Sequence, residues 1–195
     1  MVKLNGKKKL RISVFISGRG SNLKSIIKFS KKKNSPFKIS LVITNNKKAH
    51  GINFAKKNKI KYFFINYKNK NKAEKQIKAK LYKHQIDFIC LAGFMKILSK
   101  NIVNSYKDRI LNIHPSLLPK YKGLNTHQRV LKKNEKFTGC TVHLVNSQLD
   151  SGKIILQKKV RVLKNDNELS LSKRVLKVEN LIYPEAIKKY INSIL

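Results

Sequence analysis

The chain has 195 residues, 41% of them hydrophobic, and 45 Lys and Arg against 9 Asp and Glu, for a formal net charge of +36. That length suffices for one domain with a sizeable core, while no stretch reaches the ~18 consecutive apolar residues of a membrane-spanning helix. So acid-poor a chain also argues against chemistry that uses carboxylates in pairs, such as glycoside cleavage.

The charge admits two readings. Lysines are spread along the whole sequence, at Lys31 to Lys33, Lys56 to Lys59, Lys68 to Lys83 and Lys158 to Lys164, with no long basic tail. The aromatics fall in apolar runs instead of alternating with lysine as stacking platforms for bases do. Lysine, asparagine and isoleucine are enriched together, and AT-rich codons encode all three. Compositional drift on solvated faces is one reading, and attraction of polyanionic small molecules is the other. No specific nucleic-acid partner is expected. Cys90 and Cys140 sit beside β-branched or apolar residues and read as small buried hydrophobes in a reducing compartment.

Met1 to Lys9 is a basic extension that leads into a strand-like run and not into a signal-peptide core. Arg11 to Ser17 is rich in β-formers and ends at Gly18-Arg19-Gly20. Ser21 to Lys32 spaces Leu23, Ile26, Ile27 and Phe29 as a helix does. A strand is expected at Phe37 to Thr44, a short helix at Ala49 to Asn58 and a third strand at Tyr62 to Ile65. A lysine-rich helix follows from about Lys72 to His84. Asp87 to Ala92 is almost wholly apolar, as for a strand covered on both faces. Lys100 to Lys107 reads as a helix, Ile110 to Ile113 as a short strand and Thr126 to Lys133 as a helix. Phe137 to Val145 and Lys153 to Val162 read as strands, with Asp150 in the connection between them. An amphipathic helix over Glu168 to Ile191 closes the chain. Strands alternating with helices imply an α/β fold with an open, mostly parallel, doubly wound sheet, in one domain over residues 1–195.

Two places carry chemistry. Strand, Gly18-Arg19-Gly20-Ser21-Asn22, then helix offers free backbone N–H groups to an anion. A dinucleotide fingerprint would need glycine at position 23, where Leu23 stands, and a nucleoside-triphosphate loop would need Gly-Lys-Ser/Thr. The turn therefore suits a phosphate monoester. Equally, it suits a tight strand-to-helix turn in which Ser21 or Asn22 caps the helix. The second place opens with Asn112-Ile113-His114-Pro115 and closes with Leu149-Asp150. An amide, an imidazole and a carboxylate there suit a reaction that builds negative charge on a carbonyl oxygen while a proton leaves a nucleophile. His114, His127 and His143 lack the short spacings of common zinc motifs, and no Gly-x-Ser-x-Gly elbow supplies a serine nucleophile.

These residues belong to a wider pattern. S-G-R-G-S-N-L at 17–23, L-A-G-F-M-K-I-L-S at 91–99 and L-N-I-H-P-S-L-L-P-K-Y-K-G-L at 111–124 are followed by T-G-C-T-V-H at 138–143, L-D-S-G at 149–152 and E-N-L-I-Y-P at 179–184. In these pieces and their order the chain resembles the phosphoribosylglycinamide formyltransferases, folate-dependent enzymes of purine biosynthesis with a Rossmann-like formyltransferase fold. The resemblance implies cytoplasmic, metal-free transfer of a formyl group from 10-formyltetrahydrofolate to the amine of glycinamide ribonucleotide. By position, Asn112, His114 and Asp150 would be catalytic, Gly20, Ser21 and Asn22 would hold the substrate phosphate, and Glu179 would contact the ribose or glycinamide part. Lys70, Met95, Lys96, Ile97, Leu98 and Asn112 would meet the folate, with the segment before Asp150 closing over its pterin. Thr141 and His143 resemble residues that orient the catalytic groups.

Some positions depart from the family pattern. Lys70 stands where many relatives have arginine, Lys122 and Lys153 where proline is usual, Ser151 where glycine is frequent, and Asn125 where histidine is common. Related enzymes with the same three groups are the methionyl-tRNA formyltransferases, expected to add an RNA-binding domain, and the formyltetrahydrofolate hydrolases, expected to add a regulatory one. The glycine-rich turn favours the ribonucleotide acceptor over both.

Overall fold

The computed structural model describes residues 9–194, so residues 1–8 of the basic extension and Leu195 lie outside it. In chain order the elements are β1 (Leu10–Ile16), α1 (Ser21–Ser30), β2 (Phe37–Thr44), α2 (Gly51–Lys57), β3 (Tyr62–Phe64), α3 (Lys70–Lys83) and β4 (Phe88–Leu91). They continue with α4 (Lys100–Ser105), β5 (Ile110–His114), α5 (Thr126–Lys132), β6 (Phe137–Leu144), β7 (Ile154–Arg161) and α6 (Glu168–Ile194). Each expected element is present, with ends displaced by a few residues, as fraying allows.

The seven strands form one sheet in the order β3-β2-β1-β4-β5-β6-β7. Pairing is parallel from β3 to β5 and antiparallel for β5–β6 and β6–β7. From β1 the chain first winds outward through β2 and β3, then returns to lay β4 and β5 on the other flank. The carboxyl ends of β1 and β4 therefore flank the topological switch, where open α/β sheets place ligands.

Alternation along the strands divides the core into two clusters. Ile12, Val14, Ile16, Leu111, Ile113, Cys140 and Val142 pack with residues of α1, α2, α5 and α6. Phe15, Ile89, Leu91 and Ile110 pack with Ala73, Ile77 and Leu81 of α3 and with Ile102 and Val103 of α4. Tyr183, fully buried on α6, shares its hydroxyl proton between the Leu91 and Leu111 carbonyls at 2.9 and 3.0 Å. This pins α6 beneath the ends of β4 and β5. Both cysteines are buried and unbridged, and burial pushes the Cys140 thiol up to about 12. The outer strand β7 exposes Lys158, Lys159 and Arg161, and such charges discourage edge-to-edge pairing.

Asp166, just before α6, is forked by Arg174 and also accepts from the Leu163 N–H and the Ser170 hydroxyl. The Arg174 guanidinium holds this carboxyl well below the usual carboxylate range. A depressed folded-state pKa stabilises the protein above the unfolded value and is lost as pH falls through the folded one. Urea unfolding measured at several pH values should therefore show Asp166→Asn losing less stability than the parent on acidification below about pH 4. Parallel acid limbs would show that the fork contributes nothing to the pH dependence.

Candidate active site

Alternation in β5 separates Ile110, Asn112 and His114 from Leu111 and Ile113. The second set enters the core beneath α6, so the first faces the opposite side of the sheet. The antiparallel register then sets His143 beside Asn112 and Thr141 beside His114. Cross-strand neighbours of this kind lie close enough for their side chains to interact. Asn112 Nδ2 lies 3.2 Å from His143 Nε2, and the His143 Nδ1–H donates to the Leu144 carbonyl at 2.8 Å. That backbone bond fixes the ring so that Nε2 faces Asn112 and Asp150. Thr141 donates its hydroxyl to the Ser116 carbonyl and accepts from the Leu118 N–H, holding the loop that follows His114.

Asp150 arrives from the β6–β7 connection, thirty-odd residues along the chain, with φ of +46°. Left-handed backbone is uncommon outside glycine, and aspartate is among the residues that tolerate it. The carboxylate meets His114 Nδ1 at 3.3 Å and His143 Nε2 at 3.6 Å. It also accepts from the Gly123 N–H at 2.9 Å and, more distantly, from Asn112 Nδ2 at 3.5 Å. Burial alone would raise its pKa, but the His143 contact, the Gly123 N–H and the neighbouring imidazoles hold it below the usual carboxylate range. Asn112 and His114, two residues apart on β5, thus meet the sequence-distant Asp150 in one cluster.

His114 is 5% exposed. Its Nε2–H donates to the Tyr121 carbonyl at 2.8 Å. Burial draws its pKa below the ordinary value, against the upward pull of that carbonyl and of Asp150. With the Nε2 proton pinned, the titrating position is Nδ1, which faces the carboxylate. Sequence reasoning named neither Tyr121 nor Gly123. Tyr121 has φ of +58°, and its phenol donates to Glu135 at 2.8 Å while Arg129 lies over its ring. A tyrosine offering only its carbonyl leaves no residue-type signal in a sequence.

At the glycine-rich turn, the helix cap is Gly20 in the left-handed region, with no side-chain cap. The capping expectation for Ser21 or Asn22 is therefore not met. Asn22, 6% exposed, instead donates to Glu179 of α6 at 2.8 Å, and its Oδ1 is buried without a hydrogen-bond partner. Burial, only partly offset by that amide, raises the Glu179 pKa. Gly20 is required for space as well as for φ, since a Cβ there would fall 2.5 Å from the Gly51 Cα. Gly51 is a third residue that sequence reasoning passed over, because its role is close approach to a distant segment.

After β4, residues 93–98 form a loop on the other flank of the switch. Met95 and Ile97 are 64% and 68% exposed, and Lys96 is also exposed. Leu98 turns into the core instead, at 7% exposure. Leu124 and Leu149, next in sequence to Gly123 and Asp150, are also exposed. The Ser99 N–H donates to Glu74 of α3, and Lys70 lies one turn before Glu74 on the same helix face. Of the departures from the family pattern, Lys122 and Ser151 meet, the ammonium donating to the hydroxyl. Asn125 sits at φ of +55° as the residue before α5. Among the described residues, no group of three or more His, Cys, Asp and Glu is arranged to hold a metal ion.

Residues 10–187 match the formyl transferase family. The phosphoribosylglycinamide formyltransferase of Haemophilus influenzae is 40% identical over 181 residues, covering 91% of this chain and 85% of that protein. The human trifunctional purine biosynthetic protein adenosine-3 is 43% identical over 185 residues, and the match spans 93% of this chain but only 18% of that longer protein. A crystal structure of phosphoribosylglycinamide formyltransferase from Brucella melitensis superposes with a TM-score of 0.89 at 41% identity, covering 94% and 96% of the two chains.

Proposed function

The chain belongs to the formyl transferase family, and from that premise we propose that it passes the formyl group of 10-formyltetrahydrofolate to the amine of phosphoribosylglycinamide. The products are formylglycinamide ribonucleotide and tetrahydrofolate, in purine biosynthesis. The acceptor phosphate occupies the turn at Gly20, Ser21 and Asn22, where α1 presents its free N–H groups. Glu179 and the unpartnered Asn22 Oδ1 face the rest of that substrate. Met95, Lys96 and Ile97 receive the folate, with Leu98 anchoring their loop and Lys70 offering a point charge in place of a planar fork.

In the reaction the substrate amine attacks the formyl carbon, and the carbonyl electron pair moves onto oxygen. Asn112 turns one amide proton to that oxyanion, exchanging its long 3.5 Å contact with Asp150 for a charge-assisted bond. The proton shed by the amine enters the pair formed by Asp150 and His114 Nδ1, directly or through a water. Tyr121 already holds Nε2–H, so this proton creates an imidazolium beside the developing negative charge. The carbon–nitrogen bond to folate then breaks, the carbonyl re-forms, and the proton passes to the departing folate nitrogen. We propose the cytoplasm as the site of the reaction, on the family resemblance; separately, no described helix is long and apolar enough to cross a membrane.

The observation carrying this reading is the convergence of Asn112, His114 and Asp150 beside the switch whose other lip is the Asn22–Glu179 pair. Purified protein given both substrates should form tetrahydrofolate and formylglycinamide ribonucleotide in equal amounts. Release of tetrahydrofolate and formate without glycinamide ribonucleotide would instead mark a hydrolase.

A further inference from the structure

We propose that Ser17 is a positioning residue whose hydroxyl couples the two ligand loops across the switch point, an inference that rests on the formyl-transfer reading above. Ser17 directly follows β1 and precedes the phosphate turn. Its Oγ–H donates to Asn45 Oδ1 at the end of β2, and the same oxygen accepts the Met95 N–H at 2.8 Å. One hydroxyl thus donates to one loop and accepts from another, so its rotor is held only while both loops are in place. Asn46 adds a third tie by donating to the Ser17 carbonyl at 3.0 Å, and Thr44 in turn holds the Asn46 backbone.

The consequence is a shared anchor. The folate loop leaves β4 through Gly93, at φ of +73°, and its Met95 is largely exposed. With Phe94 packed on Phe15 and Tyr67 and Leu98 in the core, the Met95 N–H bond to Ser17 is the backbone tie between those anchors in the part of the loop that presents Met95 and Ile97. On the other side, Gly18 accepts from the Gly51 N–H at 3.1 Å, so the segment that cradles phosphate starts from the same point. A ligand that orders one loop fixes Ser17, and the ordering need not be paid again when the second ligand binds. Coupling of this kind is reciprocal, each ligand raising the affinity for the other by the same factor.

Glycinamide ribonucleotide and tetrahydrofolate form a non-reacting pair, since the folate lacks its formyl group. Calorimetric titration of each, alone and with the other saturating, gives the coupling factor directly. In the wild-type protein we expect a factor of about five or more, the lower end of ordinary coupling. Ser17→Ala should bring it close to one, while Ser17→Thr, which keeps the hydroxyl, should restore it. Asn45→Ala, which frees the rotor without touching Ser17, should lower it as well. A merely structural serine would reduce the unfolding temperature and leave the factor unchanged. An unchanged factor in Ser17→Ala and Asn45→Ala, or a wild-type factor of one, overturns the inference while both ligands still bind. Failure of both ligands to bind the wild-type protein would instead overturn the reading of the site, and this inference with it.

Discussion

Replacing His114 with alanine is expected to lower turnover by about a hundredfold or more, equivalent to roughly 2.7 kcal/mol of transition-state stabilisation. Among the described residues, the imidazole is the one group in contact with both Asp150 and the Tyr121 carbonyl. In the proposed mechanism its loss removes the positive charge that faces the oxyanion and interrupts the route by which the amine proton leaves. Substrate affinity should change far less, because the phosphate turn and the loop at Met95 lie on other strands. The part-buried Tyr121 carbonyl keeps only the long Ser116 hydroxyl contact at 3.4 Å, so the unfolding midpoint should fall modestly while the transition stays cooperative. The two apolar clusters do not include His114. Near-normal turnover in a folded His114→Ala protein would remove His114 from the mechanism.

Asp150→Asn is expected to have a comparable effect on turnover, again about a hundredfold or more, and is the cleaner experiment. Asparagine has nearly the same shape, and it shares with aspartate a tolerance of left-handed backbone, which φ of +46° demands. Its amide oxygen can still accept the Gly123 N–H, so the loop should hold its place. What disappears is the negative charge and the ability to take a proton. His114 then loses the partner that favours its charged form, and the amine proton loses its acceptor. Unaltered thermal stability with a collapsed rate is the expected pair of results. A rate within a few-fold of the parent would mean that the carboxylate serves only to shape the loop.

Both expectations depend on geometry that the sequence showed in part. The sequence showed a short strand at Ile110 to Ile113 running into His114, and the structure extends that strand through His114, which sets the amide and imidazole on one face. The glycine-rich turn after Arg11 to Ser17 could likewise be read as an anion seat or a plain turn. The structure moved that balance by sending the Asn22 side chain to Glu179 and leaving its Oδ1 unpartnered, instead of using it as a cap. Leu98, grouped by motif with Met95 and Ile97, proved to point into the core. Lys122 and Ser151, departures from the family pattern on separate loops, turned out to be partners.

The amino-acid sequence by itself determined the alternation of strands and helices, the open α/β class, the two buried cysteines and the identity of the three central side chains. Each of these depends on residue type and local spacing, which a chain carries before it folds. Only the tertiary structure decided the β5–β6 register that sets His143 against Asn112, the Tyr121 carbonyl that pins the His114 tautomer, the approach of Gly51 to Gly20, and the Ser17 hydroxyl between two loops. Backbone groups and close approaches have no residue-type signature, because every residue supplies the same carbonyl and N–H. Which of them meets a side chain is settled when strands distant in sequence are laid side by side.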